Sequence, residues 1–440
     1  MKLPTNTRWQ MVGLLFAATT INYIDRNVLS FTMIDPVFKK EMMGVAAEAP
    51  LSESMNNAFK IQMGYVDSAF KFTYAAGFLV MGWLIDRIGT KRGFSLGILL
   101  WSLSASLHAW AGSLGSLRWM RASLGIGESA NFPSAIKTVA EWFPQKERAL
   151  ATGLFNAGAN VGIMLTALLV PYLTLTYGWR ASFLVTGSLG FLLLIAWWKF
   201  YQKPEKHPKL SKEEFAYIQQ DNNHLVEEPK IKISWFKLLK YRQTWAFAVG
   251  KFMADPIWWF FLTWLPDFFN SNEALDQKLD LKTIGLPFLV IYIVSDVGSV
   301  FFGWLSSKFL KMGWSLNRAR KTTLFICAIC VIPISFASTT HNIYIAVALI
   351  SLATAAHTGW AANMYTFASD LFPRSVVASI TGIGGTAGAL GGVLLAAMAG
   401  IIRVNYGYLP LFLIASSSYL IGWFIINWIL PTMKKVEILE

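Results

Sequence analysis

The chain has 440 residues, 55% of them hydrophobic and only 14% charged, and its formal net charge is +13. Soluble domains carry about 25% charged residues, so this composition indicates a membrane protein and excludes an ordinary water-soluble fold. Basic residues are concentrated in alternate loops between apolar runs, and not in one patch, which argues against a nucleic-acid partner. This positive-inside bias predicts that both termini lie in the cytoplasm.

Apolar runs long enough to cross a bilayer as helices recur along the whole chain. A polar segment separates them into two sets of six, and Ser211 within it is placed to cap a short amphipathic helix. We predict an all-α membrane protein with two six-helix bundles, over residues 1–201 and 243–440, joined by a cytoplasmic linker over 202–242. The twelve predicted transmembrane helices are 10–32, 62–85, 93–112, 116–140, 148–172, 179–201, 243–269, 284–307, 321–339, 342–368, 375–401 and 408–431.

The first predicted span contains a polar interruption. Because it includes Asn22, Asp25 and Arg26 and lacks a small-residue cleavage site, we predict a retained helix and not a signal peptide. An ionised side chain inside a bilayer is costly unless it is paired or hydrated. Asp25 is therefore a candidate proton carrier, and Arg26 either neutralises it or helps to hold an anion. A purely structural Asp25–Arg pair is the alternative, and Tyr23 is a candidate ligand contact.

The second predicted span leads into a charged segment. Asp67, Lys71 and Tyr74 share one face of the span, so we interpret the first two as an ion pair and Tyr74 as a candidate ligand contact. The charged segment must lie at a membrane surface, because ionised groups are costly in hydrocarbon. Its characteristic residues are Gly82, Asp86, Arg87, Gly89, Lys91 and Arg92.

The fourth and fifth predicted spans carry further polar candidates. Arg121 and Glu128 are seven residues apart, so both face the same way about 10 Å apart along the helix axis. Arginine offers a planar fork to a carboxylate, and Glu128 is a second candidate proton carrier. A buried ion pair, of the two or of each with another helix, is the alternative. Asn156 and Asn160 are candidates for hydrogen-bonding hydroxyl groups, or else they join two helices.

In the second half, Lys251 and Asp255 are predicted to pair at a spacing of i, i+4. Trp258, one turn further on, is either a platform for a sugar ring or part of an interfacial aromatic belt. A further polar group in this half consists of His357, Trp360 and Asn363. Because a membrane histidine often joins two helices, ligand contact and helix packing both remain open for this group.

Cys327 and Cys330 form a C-x-x-C pattern inside an apolar run. Zinc or redox chemistry needs more ligands or a soluble redox fold, so we predict buried membrane thiols and no metal site. The sequence contains no hydrolytic or redox constellation. We therefore predict neither a cofactor nor an enzyme activity.

The two halves of the chain repeat with an offset of 229 residues, as Phe143 and Phe372 show (372 − 143 = 229). The same offset relates Glu128 to His357, whereas the charged segment has only a partial echo over 303–308. Small residues four apart let helices approach closely, either for packing or as a surface on which the halves rock. They occur at Gly158 and Gly162, and at Gly384, Gly388 and Gly392.

These motifs resemble a known family. The pattern G-x-x-x-D-R-x-G-x-[RK]-[RK] over residues 82–92 resembles the loop motif of the major facilitator superfamily. Three further motifs resemble those of the anion:cation symporter family within this superfamily. They are Asn22-Tyr23-Ile24-Asp25-Arg26, Arg121-x6-Glu128-x4-Pro133 and Glu141-Trp142-Phe143-Pro144-x3-Arg148. Hexuronate transporters within that family are similar at Asp255-Pro256-Ile257-Trp258-Trp259 and at Ala356-His357-x2-Trp360-Ala-Ala-Asn363.

The resemblance implies a monomeric, multi-pass protein of the cell inner membrane that imports a sugar-acid anion with protons by alternating access. A hexuronate is the first expectation for the anion, with galactonate or glucarate as alternatives. Arg121 would bind the carboxylate, Asp25 and Glu128 would take protons, and Tyr74 with the second-half polar residues would contact the hydroxyls. The segment around Asp86 and Arg87 would latch the transporter through cytoplasmic contacts.

Two other functions remain open at this point. One is a sensor that keeps the fold and signals on ligand binding. The glycine pattern and the two acids argue against a sensor. A drug exporter would favour a larger apolar cavity and would not need Arg121.

Overall fold

The computed structural model describes residues 7–143, 145–219, 235–372 and 377–436, and these ranges contain helices and no strand. The helices of the first half are α1 Thr7–Thr32, α2 Pro36–Met42, α3 Glu53–Ile88, α4 Thr90–Leu107, α5 Leu114–Glu128, α6 Asn131–Trp142, α7 Gln145–Tyr177, α8 Trp179–Phe200 and α9 Lys212–Gln219. Those of the second half are α10 Trp235–Leu238, α11 Arg242–Ser271, α12 Gly285–Lys311, α13 Leu316–Val331, α14 Ile343–Leu371, α15 Val377–Tyr406 and α16 Leu409–Ile429. Short 3₁₀ turns follow α4, α8 and α13, at His108–Trp110, Pro204–Lys206 and Ile332–Ser338.

Most predicted spans coincide with one long helix. The span 116–140 coincides with the pair α5 and α6, and the spans 93–112 and 321–339 coincide with α4 and α13 together with the 3₁₀ turns that follow them. By length and composition, seven stretches of the described residues suit a membrane crossing. They are Gly153–Tyr177, Trp179–Phe200, Gly285–Lys311, Leu316–Ser338, Ile343–Phe367, Ile380–Tyr406 and Leu409–Ile429. Buried ionisable residues interrupt the apolar stretches of other long helices, such as α1 with Asp25 and Arg26.

The chain divides into two compact units, residues 1–49 with 69–229 and residues 50–68 with 230–440. In the first unit α1 packs along α7, and α4 packs along α8. In the second unit α11 packs along α15, and α13 packs against α16. The helix ends follow the repeat, since α7 and α15 end at Tyr177 and Tyr406 (406 − 177 = 229). Pro144 and Pro373, which belong to the repeated motif, lie outside the described residues.

The fourth predicted span is interrupted between α5 and α6. Proline lacks an N–H, and its ring clashes with the carbonyl four residues earlier, so Pro133 disfavours a continuous helix at Ser129. The Ser129 hydroxyl donates to the Ile126 carbonyl at 2.6 Å, and the Ala130 N–H bonds to the Gly127 carbonyl at 3.3 Å instead of one residue earlier. This break makes Glu128 the last residue of α5.

The repeated glycines bring two helices together within each unit. A Cβ atom on Gly158 would lie 2.6 Å from the Phe16 carbonyl oxygen, and one on Gly162 would lie 2.5 Å from that of Thr20, so α7 needs both glycines to approach α1. In the second unit Gly388 of α15 packs against the Asp255 side chain of α11, and Gly391 packs against Pro256. Helix packing, one of the two interpretations of these glycines, is therefore present in both halves.

The described part of the linker is folded onto the start of α1. Ser211 accepts a hydrogen bond from the Glu214 N–H at 3.1 Å and begins α9, which confirms the predicted cap. The buried Glu214 carboxylate accepts the N–H groups of Thr7 and Arg8, both at 3.2 Å, and pairs with the Arg8 guanidinium at 2.9 Å. A carboxylate at a helix N-terminus is stabilised by the helix dipole. Linker residues 220–234 lie outside the described residues.

Candidate functional site

A buried ion pair joins α1 to the end of α5. The Arg26 Nε donates to Glu128 Oε2 at 2.7 Å, and Arg26 Nη2 donates to the Asn22 amide oxygen at 3.2 Å. Glu128 is fully buried, and the break after it leaves it at the negative end of the α5 dipole. A buried carboxylate in that position needs a cation, and Arg26 supplies it.

Aromatic rings surround both guanidinium groups of this region. Arg26 lies over the rings of Tyr23 and Tyr74, with its central carbon 4.6 and 4.8 Å from their centroids. The Arg121 guanidinium lies 4.5 Å from the centroid of Phe70, and Arg26 lies 5.5 Å from the same ring. Such contacts stabilise a cation most when it is desolvated. Four predicted candidates, Tyr23, Arg26, Tyr74 and Arg121, are thus brought together.

Arg121 contacts the backbone of α1. Its Nη1 donates to the Arg26 carbonyl oxygen at 3.1 Å, and its side chain is buried. Glu128 forms its ion pair with Arg26 of α1, and this agrees with the alternative of a pair with another helix. Arg121 is therefore held through its Nη1 at α1, one residue from Asp25.

Asp25 is the least satisfied acid of the cluster. It is 2% exposed, and neither carboxylate oxygen forms a hydrogen bond to a described residue. Glu128 acts on it electrostatically, and the Thr186 hydroxyl of α8 is adjacent. The Oε1 atom of Glu128 and the Nδ2 atom of Asn22 are also buried without a hydrogen bond among the described residues. A buried charge without a partner is costly, so such a site suits a group that exchanges a proton.

The asparagines of α7 differ in their surroundings. Asn156 is exposed, whereas Asn160 is partly buried. Along α7 they lie two residues before and two residues after Gly158, which contacts α1. Asn156 is accordingly the more accessible of the two amides.

An aromatic cluster surrounds His357 in the second unit. The His357 ring lies flat on Trp258, with centroids 4.9 Å apart and planes 5° apart, and Tyr292 meets Trp258 edge-on at 6.0 Å. The Tyr419 hydroxyl of α16 lies 2.6 Å from His357 Nδ1. Stacked and edge-on rings add to the stability of buried aromatic groups. The structure therefore brings Trp258 and His357 together in one aromatic cluster.

Trp360 and Asn363 are placed differently from His357. Trp360 is fully buried, donates its indole N–H to the Gly250 carbonyl at 3.3 Å and meets Tyr419 edge-on. The Asn363 amide donates to the carbonyls of Gly359 at 2.9 Å and Phe302 at 3.4 Å. Both residues are engaged in helix packing within the second unit, although the Asn363 side-chain oxygen has no hydrogen bond to a described residue.

The predicted pair on α11 is present, with Lys251 Nζ 2.9 Å from Asp255 Oδ2. The ammonium also lies 4.6 Å from the centroid of Tyr365. Gly388 packs directly against the Asp255 carboxylate, where a Cβ atom would clash with Oδ2. This pair is therefore enclosed by α15.

The charged segment turns between α3 and α4 at Gly89, whose φ of +87° is a left-handed conformation that favours glycine. Thr90 donates to Glu141 Oε1 of α6 at 2.8 Å, and the Tyr201 hydroxyl donates to the other Glu141 oxygen. Gly82 and Lys91 are half-buried, whereas Arg87 and Arg92 are exposed. The Asp86 side chain lies outside the part of the chain that the structure describes.

Several residues of these clusters have no sequence signature. Tyr419, Tyr201 and Phe70 are aromatic residues in apolar runs, where packing is the usual role. Asp267, near the end of α11, is a further buried acid that accepts the Tyr408 hydroxyl at 2.5 Å and the Ser271 hydroxyl at 3.0 Å. A search of the apolar runs for every acid would have found Asp267, but nothing in its spacing indicates Tyr408.

Long apolar helices with buried charges, as in α1 and α5, are typical of membrane transport proteins. The Major Facilitator Superfamily family model matches residues 15–396, and the chain belongs to that superfamily. The hexuronate transporter of Escherichia coli (strain K12) is 30% identical over 437 residues, which cover 98% of this chain and 96% of the relative. The D-galactonate transporter of Escherichia coli O6:H1 is 29% identical, with 95% of this chain and 94% of the relative covered.

Solved structures agree on the fold. A bacterial homologue of the human lysosomal transporter Spinster superposes with a TM-score of 0.71 at 17% identity, over 99% of this chain and all of the other. The prediction of an all-helical, multi-pass membrane protein with the major facilitator fold is confirmed, and the family and relatives are transporters and not enzymes. The cytoplasmic placement of both termini stays a prediction.

Proposed function

We propose that this protein imports a sugar-acid anion, in the first instance a hexuronate, together with protons by alternating access. Galactonate and glucarate are the alternative substrates. The relatives named for hexuronate and D-galactonate support the substrate class. The observation that carries the proposal is the buried cluster of Arg26 and Arg121, whose guanidinium groups lie against Phe70, with the carboxyl groups of Asp25 and Glu128.

The charges of this cluster suggest how proton and anion binding are coupled. With Asp25 and Glu128 both ionised, they balance Arg26 and Arg121. Asp25 has no hydrogen bond to a described residue, so it is the acid whose charge is least stabilised. One proton on Asp25 leaves one net positive charge, which a monovalent carboxylate neutralises. Proton and anion therefore favour each other's binding, as a symporter requires.

Arg121 is the proposed carboxylate ligand, since its planar fork matches a carboxylate. Glu128 holds Arg26 in place and is the second proposed proton site. Tyr23, Tyr74, Asn156 and Asn160 are the proposed first-half contacts for hydroxyl groups. Trp258 and His357 are the proposed second-half contacts, with Trp360 and Asn363 supporting them from the helix packing.

The remaining roles belong to the same proposal. The segment of Gly82, Asp86, Arg87, Gly89, Lys91 and Arg92 acts as a cytoplasmic latch on the first half. The protein works as a monomer in the cell inner membrane, and it needs no cofactor.

Transport into proteoliposomes tests the proposal. Labelled glucuronate, galacturonate, galactonate and glucarate are supplied with and without an inward proton gradient. We expect accumulation of one or more of them above equilibrium only with the gradient. Absence of flux for all four would refute the substrate class, and gradient-independent uptake would refute the symport.

Asp25→Asn separates substrate binding from proton coupling. The asparagine amide has nearly the same shape as the carboxyl group but cannot take up or release the proton. The variant therefore permanently has the net charge that the native protein has when Asp25 is protonated. We expect exchange of internal for external substrate to persist while accumulation driven by the gradient is lost. Normal accumulation by this variant would show that Asp25 is not the coupling acid. Arg121→Ala, by contrast, should abolish both activities.

A further inference from the structure

Two buried histidines of this chain make opposite kinds of hydrogen bond through Nδ1. His108 Nδ1 lies 2.7 Å from the Ser104 carbonyl oxygen, and a carbonyl can only accept, so His108 carries its proton on Nδ1. His357 Nδ1 lies 2.6 Å from the Tyr419 hydroxyl, which can donate or accept. The direction of the second hydrogen bond decides the tautomer of His357.

The burial of Tyr419 settles that direction. Its side chain is fully buried, and its one hydrogen bond to a described residue is the bond to His357. If the imidazole donated, the phenolic proton would be left buried without an acceptor, which is costly. The hydroxyl therefore donates to Nδ1, which must be unprotonated. A neutral imidazole then carries its proton on Nε2.

The rest of the cluster fixes the ring. Trp258 covers one face of His357 at 4.9 Å, and Tyr419 meets the ring edge-on with its centroid 6.0 Å away. Tyr419 is itself held edge-on by Trp360 at 5.4 Å. The nearby ammonium of Lys251 is paired with Asp255 at 2.9 Å. Nε2 forms no hydrogen bond to a described residue, so its donor is available to a ligand.

We infer that Tyr419 is a positioning residue that fixes His357 as an Nε2–H donor, which binds an acceptor oxygen of the transported anion. This inference rests on the proposed function for its ligand, and it adds a residue that the apolar sequence of α16 does not indicate. It also specifies the chemistry that the second half recognises, namely an oxygen with a free lone pair, on a carboxylate, a hydroxyl or a sugar ring. A substituent that offers only a donor would be rejected at this position.

Nitrogen-15 NMR on protein labelled at its five histidines tests the tautomer without any substrate. The signal lost in His357→Gln identifies His357, and His108 serves as the internal control with a protonated Nδ1. We expect His357 to show a protonated Nε2 in the native protein and a mixture of tautomers in Tyr419→Phe. A protonated Nδ1 on His357 would overturn the inference, whatever the protein transports.

Binding of labelled glucuronate tests the donor. A glutamine amide places its N–H near the position of Nε2, whereas an asparagine amide reaches only the position of Nδ1. We expect His357→Gln to bind within a few-fold of the native protein and His357→Asn to bind about tenfold more weakly, one hydrogen bond's contribution. Tyr419→Phe should weaken binding about two- to threefold, because only part of a tautomer mixture carries the Nε2 donor. Its unfolding midpoint in detergent should fall slightly, since the buried Nδ1 atom of His357 loses its donor.

The outcomes separate this inference from the proposed function. Equal binding by the glutamine and asparagine variants would overturn the donor role while leaving sugar-acid transport standing. No glucuronate binding by the native protein, with transport of none of the four acids, would refute the proposed function. In that case the NMR result would still decide whether Tyr419 sets the tautomer.

Discussion

Arg26 donates through Nε to Glu128 Oε2 at 2.7 Å, so the first and fifth helices are joined by a charge-assisted hydrogen bond with both side chains buried. The carbonyl of the same Arg26 accepts from Arg121 at 3.1 Å. One residue of α1 thus holds both members of the Arg121 and Glu128 motif. A substitution of Arg26 removes the partner of Glu128 but keeps the backbone carbonyl that Arg121 contacts.

Glu128→Gln removes the charge that balances Arg26. Breaking a buried pair from one side costs about 3–5 kcal/mol, because the remaining charge is buried without compensation. We expect a matching loss in the free energy of unfolding, measured by denaturation in mixed micelles. The double variant Arg26→Gln with Glu128→Gln should recover a large part of this loss. Equal destabilisation by the single and double variants would contradict the pairing.

Gly162→Ala tests the contact of α7 with α1. The added methyl group would lie 2.5 Å from the Thr20 carbonyl oxygen, and overpacking of this kind costs roughly 1–3 kcal/mol. Gly153→Ala, on the same helix, is the matched control because a Cβ atom there has no neighbour within 4 Å. The control should be neutral or should gain up to about 1 kcal/mol from helix propensity. Thermal unfolding followed by tryptophan fluorescence compares the two variants.

Glu214→Gln weakens the attachment of α9 to α1. Glu214 is buried and pairs with Arg8, whereas its neighbour Glu213 is exposed, so Glu213→Gln provides the control. We expect faster hydrogen exchange over residues 7–10 and 212–219 in the Glu214 variant only. Unchanged exchange there would show that the carboxylate does not hold the linker.

Attachment of the linker should also depend on pH through His207. Burial against Trp142 lowers the pKa of His207 below its usual 6.5, and its Nδ1 accepts the Lys209 N–H at 3.3 Å, which a protonated ring could not do. Because the folded-state pKa is below the unfolded one, this stability is fully present above about pH 6.5. It is lost as the pH falls towards the folded-state pKa. Hydrogen exchange at residues 207–219, measured at pH 7.5 and 5.5 and corrected for intrinsic rates, should show loosening that His207→Phe lacks.

The helices themselves could be predicted because each apolar run is long and the repeat marks their ends. The break between α5 and α6 was not predicted. Pro133 was visible in the sequence, yet a proline in the first turn of a helix and one inside a helix look alike without the backbone. The Lys251–Asp255 pair followed from its i, i+4 spacing, which puts both side chains on one face.

The partners of the buried charges could not be read from the sequence. Arg26 and Glu128 are 102 residues apart, and only the tertiary fold brings the end of α5 within reach of the Arg26 side chain. The role of Tyr419 was missed for a related reason, since a tyrosine in an apolar run is indistinguishable from a core residue until the histidine beside it is known. Residue spacing predicts which side chains share a face of one helix. These contacts depend instead on which faces of different helices pack together.

Gly162 of α7 and Gly391 of α15 lie 229 residues apart, and each packs against the backbone of the facing helix of its unit, α1 and α11. A close backbone contact is thus shared at this pair of positions, whereas the counterpart of Gly158 is Ala387. A map of tolerated substitutions over the whole chain should therefore correlate with itself when displaced by 229 positions, most strongly where backbones touch. Positions that lose this correlation would mark where the two halves have acquired different functions. We expect the charged segment over 82–92 to be among them, because its echo over 303–308 is only partial.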